Sequence, residues 1–123
     1  QVHLLEAELF SFRNKNKEAQ ASYAAAINSA RSSGFIHEQG LACERAGYHC
    51  RKINDLRSAW TFFDRAKQCY TEWGSLVKVE CVTRQLNCVL ASMHDDRDDT
   101  LGDNSFVDRL FDVVKSYSTI DLN

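Results

Sequence analysis

The stretch EAQASYAAAINSARSSGF, residues 18–35, has a counterpart 40 residues later, SAWTFFDRAKQCYTEWGS at residues 58–75. Aligned without gaps, both copies carry an alanine, an aromatic ring, a second alanine and a glycine at the same positions. These positions are Ala19, Tyr23, Ala26 and Gly34 in the first copy and Ala59, Phe63, Ala66 and Gly74 in the second. A repeat of this length lies in the range of solenoid proteins.

The spacing of the repeated residues predicts paired helices. Alanines at both ends of the motif let a second helix approach closely, and the ring between them fills the gap. Twelve residues before Ala19 and Ala59 stand Ala7 and Gly47, again small, where the preceding helix would make that approach. A small residue on one helix followed by alanine, ring and alanine on the next resembles the tetratricopeptide repeat. The period here exceeds the usual length of about 34 residues, and the signature Trp and late Pro are missing, so the resemblance is to a tetratricopeptide-like repeat.

Helices are predicted along most of the chain, because it contains no proline and only five glycines. Glycine after a last turn predicts helix ends at Gly34 and Gly74. Asn16, Asp55, Ser75 and Ser105 are predicted caps. The predicted helices cover residues 1–13, 17–33, 36–53, 56–73, 75–93 and 105–118. The sequence therefore predicts an all-α fold, a tetratricopeptide-like α-α superhelix of about three antiparallel helix pairs (1–33, 36–73 and 75–118), with an acidic loop at 95–104.

Composition narrows the class of protein. The 123 residues suffice for a single domain, 1–123, and their net charge of −2 disfavours a nucleic-acid partner, which normally requires a basic surface. No apolar run approaches the about 20 residues of a membrane span, so no membrane is expected. The five scattered cysteines are expected to be reduced and the protein cytoplasmic. Because Gln1 already lies within an amphipathic pattern, the chain is expected to be part of a larger protein.

A second resemblance rests on YAAAINSARSSGFIHEQGLACERAGYH at 23–49 and AWTFFDRAKQCYTEWGSLVKVE at 59–80. The combination of FIHE, an Ala-Glu-Ala helix and a CYxxWG ending is similar to the helical-repeat region of large multidomain signalling proteins. That region lies between a predicted ATPase and GAF, histidine-kinase or other modules. The resemblance implies a non-catalytic scaffold that binds neighbouring domains or a peptide. No phosphate loop, nucleotide fingerprint or nucleophile elbow occurs in the sequence, so neither an enzyme nor a cofactor is expected.

Two histidines offer an alternative, a histidine phosphotransfer domain of a phosphorelay. His37, with Glu38, opens the third predicted helix, where a structural role suffices. His49 is the better phosphoryl acceptor, since Arg45, Arg51 and Lys52 stand close on the same helix. Against this reading, Gln39 occupies the place of the lysine expected in such domains.

The cysteines are interpreted as small residues at helix contacts. Cys43 and Cys50 are two turns apart, as are Cys81 and Cys88, which is too far for one zinc ion. In the acidic loop, a calcium site is disfavoured because Arg97 and Leu101 stand where oxygen ligands are needed. No metal is expected.

A stack of helix pairs leaves one helix of each pair on a concave face. Projection of the repeat predicts that this partner-binding face carries Glu44, Tyr48, Arg51, Arg84 and Cys88. Its mixed, partly basic character suits an acidic peptide or a neighbouring domain, although a solvated face without a partner is the alternative. Trp73, next to Gly74, is predicted to pack at a helix end, and its replacement by alanine to cost about 3 to 5 kcal/mol if it is buried.

Overall fold

The structure, a computed structural model, describes residues 2–98, with backbone alone for 95–98. Five helices occupy this part of the chain, and no strand occurs in it. They are α1 (Val2–Phe12), α2 (Asn16–Ser33), α3 (Ile36–Lys52), α4 (Leu56–Trp73) and α5 (Leu76–Asp98). The predicted all-α class is confirmed for the described residues. The sixth predicted helix and its Ser105 cap lie outside them.

The turns between the helices repeat as the sequence does. Gly34 and Gly74 follow α2 and α4 with left-handed φ angles of 75° and 93°, and their N–H groups bond to carbonyls of the last turn. Asn14 and Asn54, also 40 residues apart, follow α1 and α3 with φ of 61° and 64°. Asparagine tolerates this conformation better than most residues. Turns of two or three residues reverse the chain, so consecutive helices run antiparallel.

The predicted caps are partly correct. Asp55 caps α4, and its Oδ1 accepts from the Ser58 amide at 3.3 Å. Ser75 does the same for the Lys78 amide at 3.3 Å. The prediction of Asn16 as a cap was wrong, because Lys15 holds the cap position of α2 and its side chain makes no capping bond.

The repeated small and aromatic residues form the core between consecutive helices. Ala7, Ala19, Ala26, Ala59, Ala66 and Phe63 are fully buried, and Tyr23 nearly so. Gly47 lies against the Phe63 ring so closely that an added Cβ would be 2.7 Å from it. Each helix packs against the next along the chain, and α1 also contacts α3.

Two predictions about helix ends need correction. The acidic loop was predicted to start at residue 95, but α5 continues through Asp98, because no glycine or proline stands between Gly74 and Gly102. Trp73 is 51 % exposed, because it follows the last buried turn of α4 and stacks on His37 at 5.1 Å. The predicted cost for a buried Trp73 therefore does not apply.

Candidate binding face on α1, α3 and α5

Side chains of α1 and α3 meet along one face of the molecule. Arg45 of α3 is paired with Glu8 of α1. One helical turn further, Ser11 Oγ lies 2.7 Å from His49 Nδ1, and Lys52 donates to the Ser11 carbonyl. These bonds place α1 beside α3 although α2 lies between them in sequence.

The same face continues onto α5. Lys78 Nζ lies 3.0 Å from Glu44 Oε1, and Arg51 donates to Gln85 Oε1 at 2.5 Å. The first, third and fifth helices therefore lie side by side with α3 in the middle. We call the surface formed by these three helices the α1–α3–α5 face.

Tyr48 lies at the centre of the α1–α3–α5 face. Its ring meets Phe63 edge-on at 5.2 Å, and the Arg45 guanidinium lies 5.3 Å from its centroid. Burial raises the pKa of the Tyr48 hydroxyl, and the charge of Glu44 raises that pKa further. The phenol therefore stays neutral and remains available as a hydrogen-bond donor or acceptor.

Glu44 is less available than its predicted role on this face requires. Its carboxylate is buried, accepts from the Tyr70 hydroxyl at 2.7 Å and pairs with Lys78. Burial and the Glu44 bond raise the pKa of Tyr70, so the phenol keeps its proton and holds this bond. Glu44 thus fastens α3 to α4 and α5.

Arg84 and Cys88, the two predicted residues on α5, are both exposed. They lie one and two turns after Cys81, which is near Tyr48, so they border the central part of the face. The exposure of Cys88 corrects its interpretation as a buried helix-contact residue. Cys43, Cys50 and Cys69 are buried, as that interpretation requires, and Cys81 is partly buried.

Sequence reasoning missed several residues of this face. Glu8, Arg45 and Lys78 join neighbouring helices across it, yet none occupies a repeated motif position. The available signal is the 40-residue repeat itself. Arg45 and Gln85 are 40 residues apart, and they bond to α1 and to α3, respectively.

The two histidines differ in accessibility. His49 is 2 % exposed, and burial together with the charge of Lys52 lowers its pKa. A phosphoryl acceptor has to reach a partner protein, so this burial counts against His49 in that role. His37 is exposed and stacks on Trp73.

The thiols and metal-binding side chains show no assembled site. All five cysteines are free, and burial raises the pKa of Cys43 to about 12 and that of Cys50 to about 11, which keeps both protonated and unreactive. Among residues 2–94, whose side chains the structure describes, His, Cys, Asp and Glu form no group of three or more that would hold a metal ion. The calcium reading of the acidic loop falls mainly outside the described residues.

Cationic side chains outnumber carboxylates on the α1–α3–α5 face. Four carboxylates lie on or beside it: Glu8 and Glu44 are paired with cations, Glu38 holds the repeat position of Lys78, and Glu80 lies one turn before Arg84. The cationic residues on this face are Arg45, Arg51, Lys52, Lys78 and Arg84. The face therefore carries a small cationic surplus, whereas the whole chain carries a net charge of −2.

Comparison of the chain with protein-family models, with curated proteins and with solved structures finds no match. In the described part of the chain, none of the helices combines the length and the apolar character needed to cross a membrane.

Proposed function

We propose that this chain is a non-catalytic scaffold that binds an acidic protein segment on its α1–α3–α5 face. The observation that carries the proposal is the basic surplus on that face, centred on the half-buried Tyr48. A rigid aromatic ring with a polar tip, surrounded by cations, is the kind of centre that protein interfaces use. The acidic segment belongs to a peptide or to a neighbouring domain of the same polypeptide.

The helix arrangement supports a tetratricopeptide-like right-handed superhelix. Two hairpins of equal length repeat at 40 residues, with the same left-handed turn residues and the same buried small residues. In such a stack the first helices of successive pairs line a concave surface, which here is the α1–α3–α5 face. The resemblance of residues 19–82 to the helical-repeat region of multidomain signalling proteins gives this scaffold a cytoplasmic setting between a nucleotide-hydrolysing part and an output part.

Arg51 and Arg84 are the residues to test first. A random-peptide display library selected on the chain is expected to return acidic sequences, and affinity for a selected peptide is expected to fall about two- to tenfold for Arg51→Ala and for Arg84→Ala. The affinity should also fall with added salt, because exposed charges are screened.

Lys17→Ala is the matched control, since Lys17 is an exposed cation on α2, away from this face. It should leave peptide affinity unchanged. Selected sequences without acidic bias would contradict the assignment of the face. So would a peptide affinity of both arginine variants equal to that of the wild type. Acid-labile phosphate on His37 after incubation with a phosphorylated receiver domain would instead support the phosphorelay alternative.

A further inference from the structure

The outer side of α1 carries an apolar stripe that no described residue covers. Val2, Leu5, Leu9 and Phe12 are 69 %, 72 %, 47 % and 82 % exposed. Their spacing of three, four and three residues puts them on one side of the helix. The opposite side, with Leu4, Ala7 and Ser11, is buried where α1 packs on α2.

The repeat register tells what this stripe corresponds to in α3. Forty residues after the stripe stand Ala42, Arg45, His49 and Lys52. Ala42 is fully buried, and the other three bond to Glu8 or Ser11 of α1. In α3, these positions therefore face the preceding hairpin.

The same positions behave alike in α5. Eighty residues after the stripe stand Val82, Gln85, Val89 and Ser92. Val82 and Val89 are fully buried in α5, which packs on α4, and Gln85 accepts a bond from Arg51 of α3. Both later helices thus use this set of positions to contact the hairpin before them.

We propose that the outer side of α1 is a docking surface for a further α-helical hairpin, which stacks on α1 as α3–α4 stacks on α5. The first helix of a stack that ends in solvent needs a polar outer side, whereas α1 presents four large apolar side chains. Val2 and Leu9 match the buried Val82 and Val89 in kind, so the hairpin is one whose contact surface is apolar, like that of α3–α4. A second copy paired through α1 alone is disfavoured, because stable dimers use about 20 to 30 residues a side.

The probe is a hairpin of this chain itself. In a fusion protein, a copy of residues 36–80 is joined directly to Gln1 of the 123-residue chain. The first turn of α5 then continues into α1, and Val2 and Leu9 take the positions that Val82 and Val89 have after residue 80. Leu9→Glu is made in this fusion and in the 123-residue chain, and amide hydrogen exchange of α1 is measured in both. In the fusion the substitution buries a carboxylate, so the opening constant of α1 is expected to rise about tenfold or more. In the chain alone, where Leu9 is half-exposed, the expected rise is within about threefold.

Asn28→Glu is the control, since residue 28 and its equivalent, Gln68, are both exposed. It should change the opening constant of α1 by the same factor in the fusion and in the 123-residue chain. Equal effects of Leu9→Glu in fusion and chain would overturn the proposal. So would sedimentation equilibrium showing a dimer of the 123-residue chain that Leu9→Glu dissolves, because the occupant would then be a second copy.

Discussion

Two glycines of α3 allow this helix to pack closely on α4. A Cβ added at Gly47 would lie 2.7 Å from the Phe63 ring, and one added at Gly40 would lie 2.9 Å from the Tyr70 ring. Contacts that short do not occur between real side chains, so the rings or the helices would have to move. At residue scale, the small residues of the repeat motif therefore set the distance between paired helices.

Gly47→Ala is expected to destabilise the protein by about 1 to 3 kcal/mol, because overpacking at Phe63 outweighs the better helix propensity of alanine. Chemical denaturation measures the loss. In a Phe63→Leu background the smaller side chain leaves room, and the same substitution should cost little or stabilise. An equal cost in both backgrounds would contradict the close approach.

His49 makes the junction of α1 and α3 sensitive to pH. It is buried beside Ser11, with the Tyr23 ring at 5.6 Å, and the charges near it are Lys52 on its own helix and Glu8 on α1. Burial and Lys52 lower the pKa of His49 from 6.5. The unfolded chain therefore binds a proton at residue 49 more readily than the folded chain. The contribution of neutral His49 to folding stability is complete above pH 6.5 and is lost as the pH falls through the lowered pKa.

We expect the wild-type free energy of unfolding to fall more between pH 7.5 and pH 5 than that of His49→Asn, which removes the titrating group. One proton limits the difference to about 1.4 kcal/mol per pH unit. Urea unfolding at each pH measures it. The control His3→Asn, at an exposed position, should lose as much stability over this pH range as the wild type does. If the pH dependence of His49→Asn equals that of the wild type, His49 does not make the junction sensitive to pH.

At the scale of whole helices, the ends were predicted well where a glycine or an aspartate cap punctuates the chain and poorly where it does not. Asp55 and Gly74 bound α4 as predicted. The continuation of α5 through Asp98 was missed because three of the residues 95–98 are aspartates. Negative charge disfavours a helix C-terminus by less than about 1 kcal/mol, too little to end a helix without a chain-breaking residue.

The two equivalent helix starts at Lys15 and Asp55 provide a matched pair of variants. They adopt nearly the same backbone angles, φ −91° and ψ 79° against φ −90° and ψ 78°, but only Asp55 makes a side-chain capping bond. Asp55→Ala is expected to cost about 1 kcal/mol, and Lys15→Asp to stabilise α2 by a similar amount. Thermal unfolding measures both, and opposite signs are the expected result. A Lys15→Asp variant no more stable than the wild type would mean that α2 does not use this cap.

At the scale of the whole molecule, the motif predicted which residues are buried between paired helices but not which side chains join one pair to the next. The alanines and aromatic rings recur because close packing of two helix backbones requires small residues with a ring between them. They can therefore be recognised in a single sequence. The ion pairs between successive helix pairs use different residues at each junction, Glu8 with Arg45 and Glu44 with Lys78. They therefore do not recur at the repeat period. The same difference explains why the basic α1–α3–α5 face was only partly predicted: its charge depends on which cations remain after these pairings.

The side-by-side arrangement of α3 and α5, on which the binding face depends, is tested most directly by a double-mutant cycle on Glu44 and Lys78. Glu44→Gln keeps the acceptor for Tyr70, and Lys78→Met keeps the apolar stem over the Tyr70 ring, so the cycle isolates the ion pair. Because Glu44 is buried, the unfolding free energies are expected to give a coupling of at least about 0.5 kcal/mol. A coupling within about 0.2 kcal/mol of zero would mean that Glu44 and Lys78 do not interact, and would contradict the α3–α5 contact on which the proposed binding face depends.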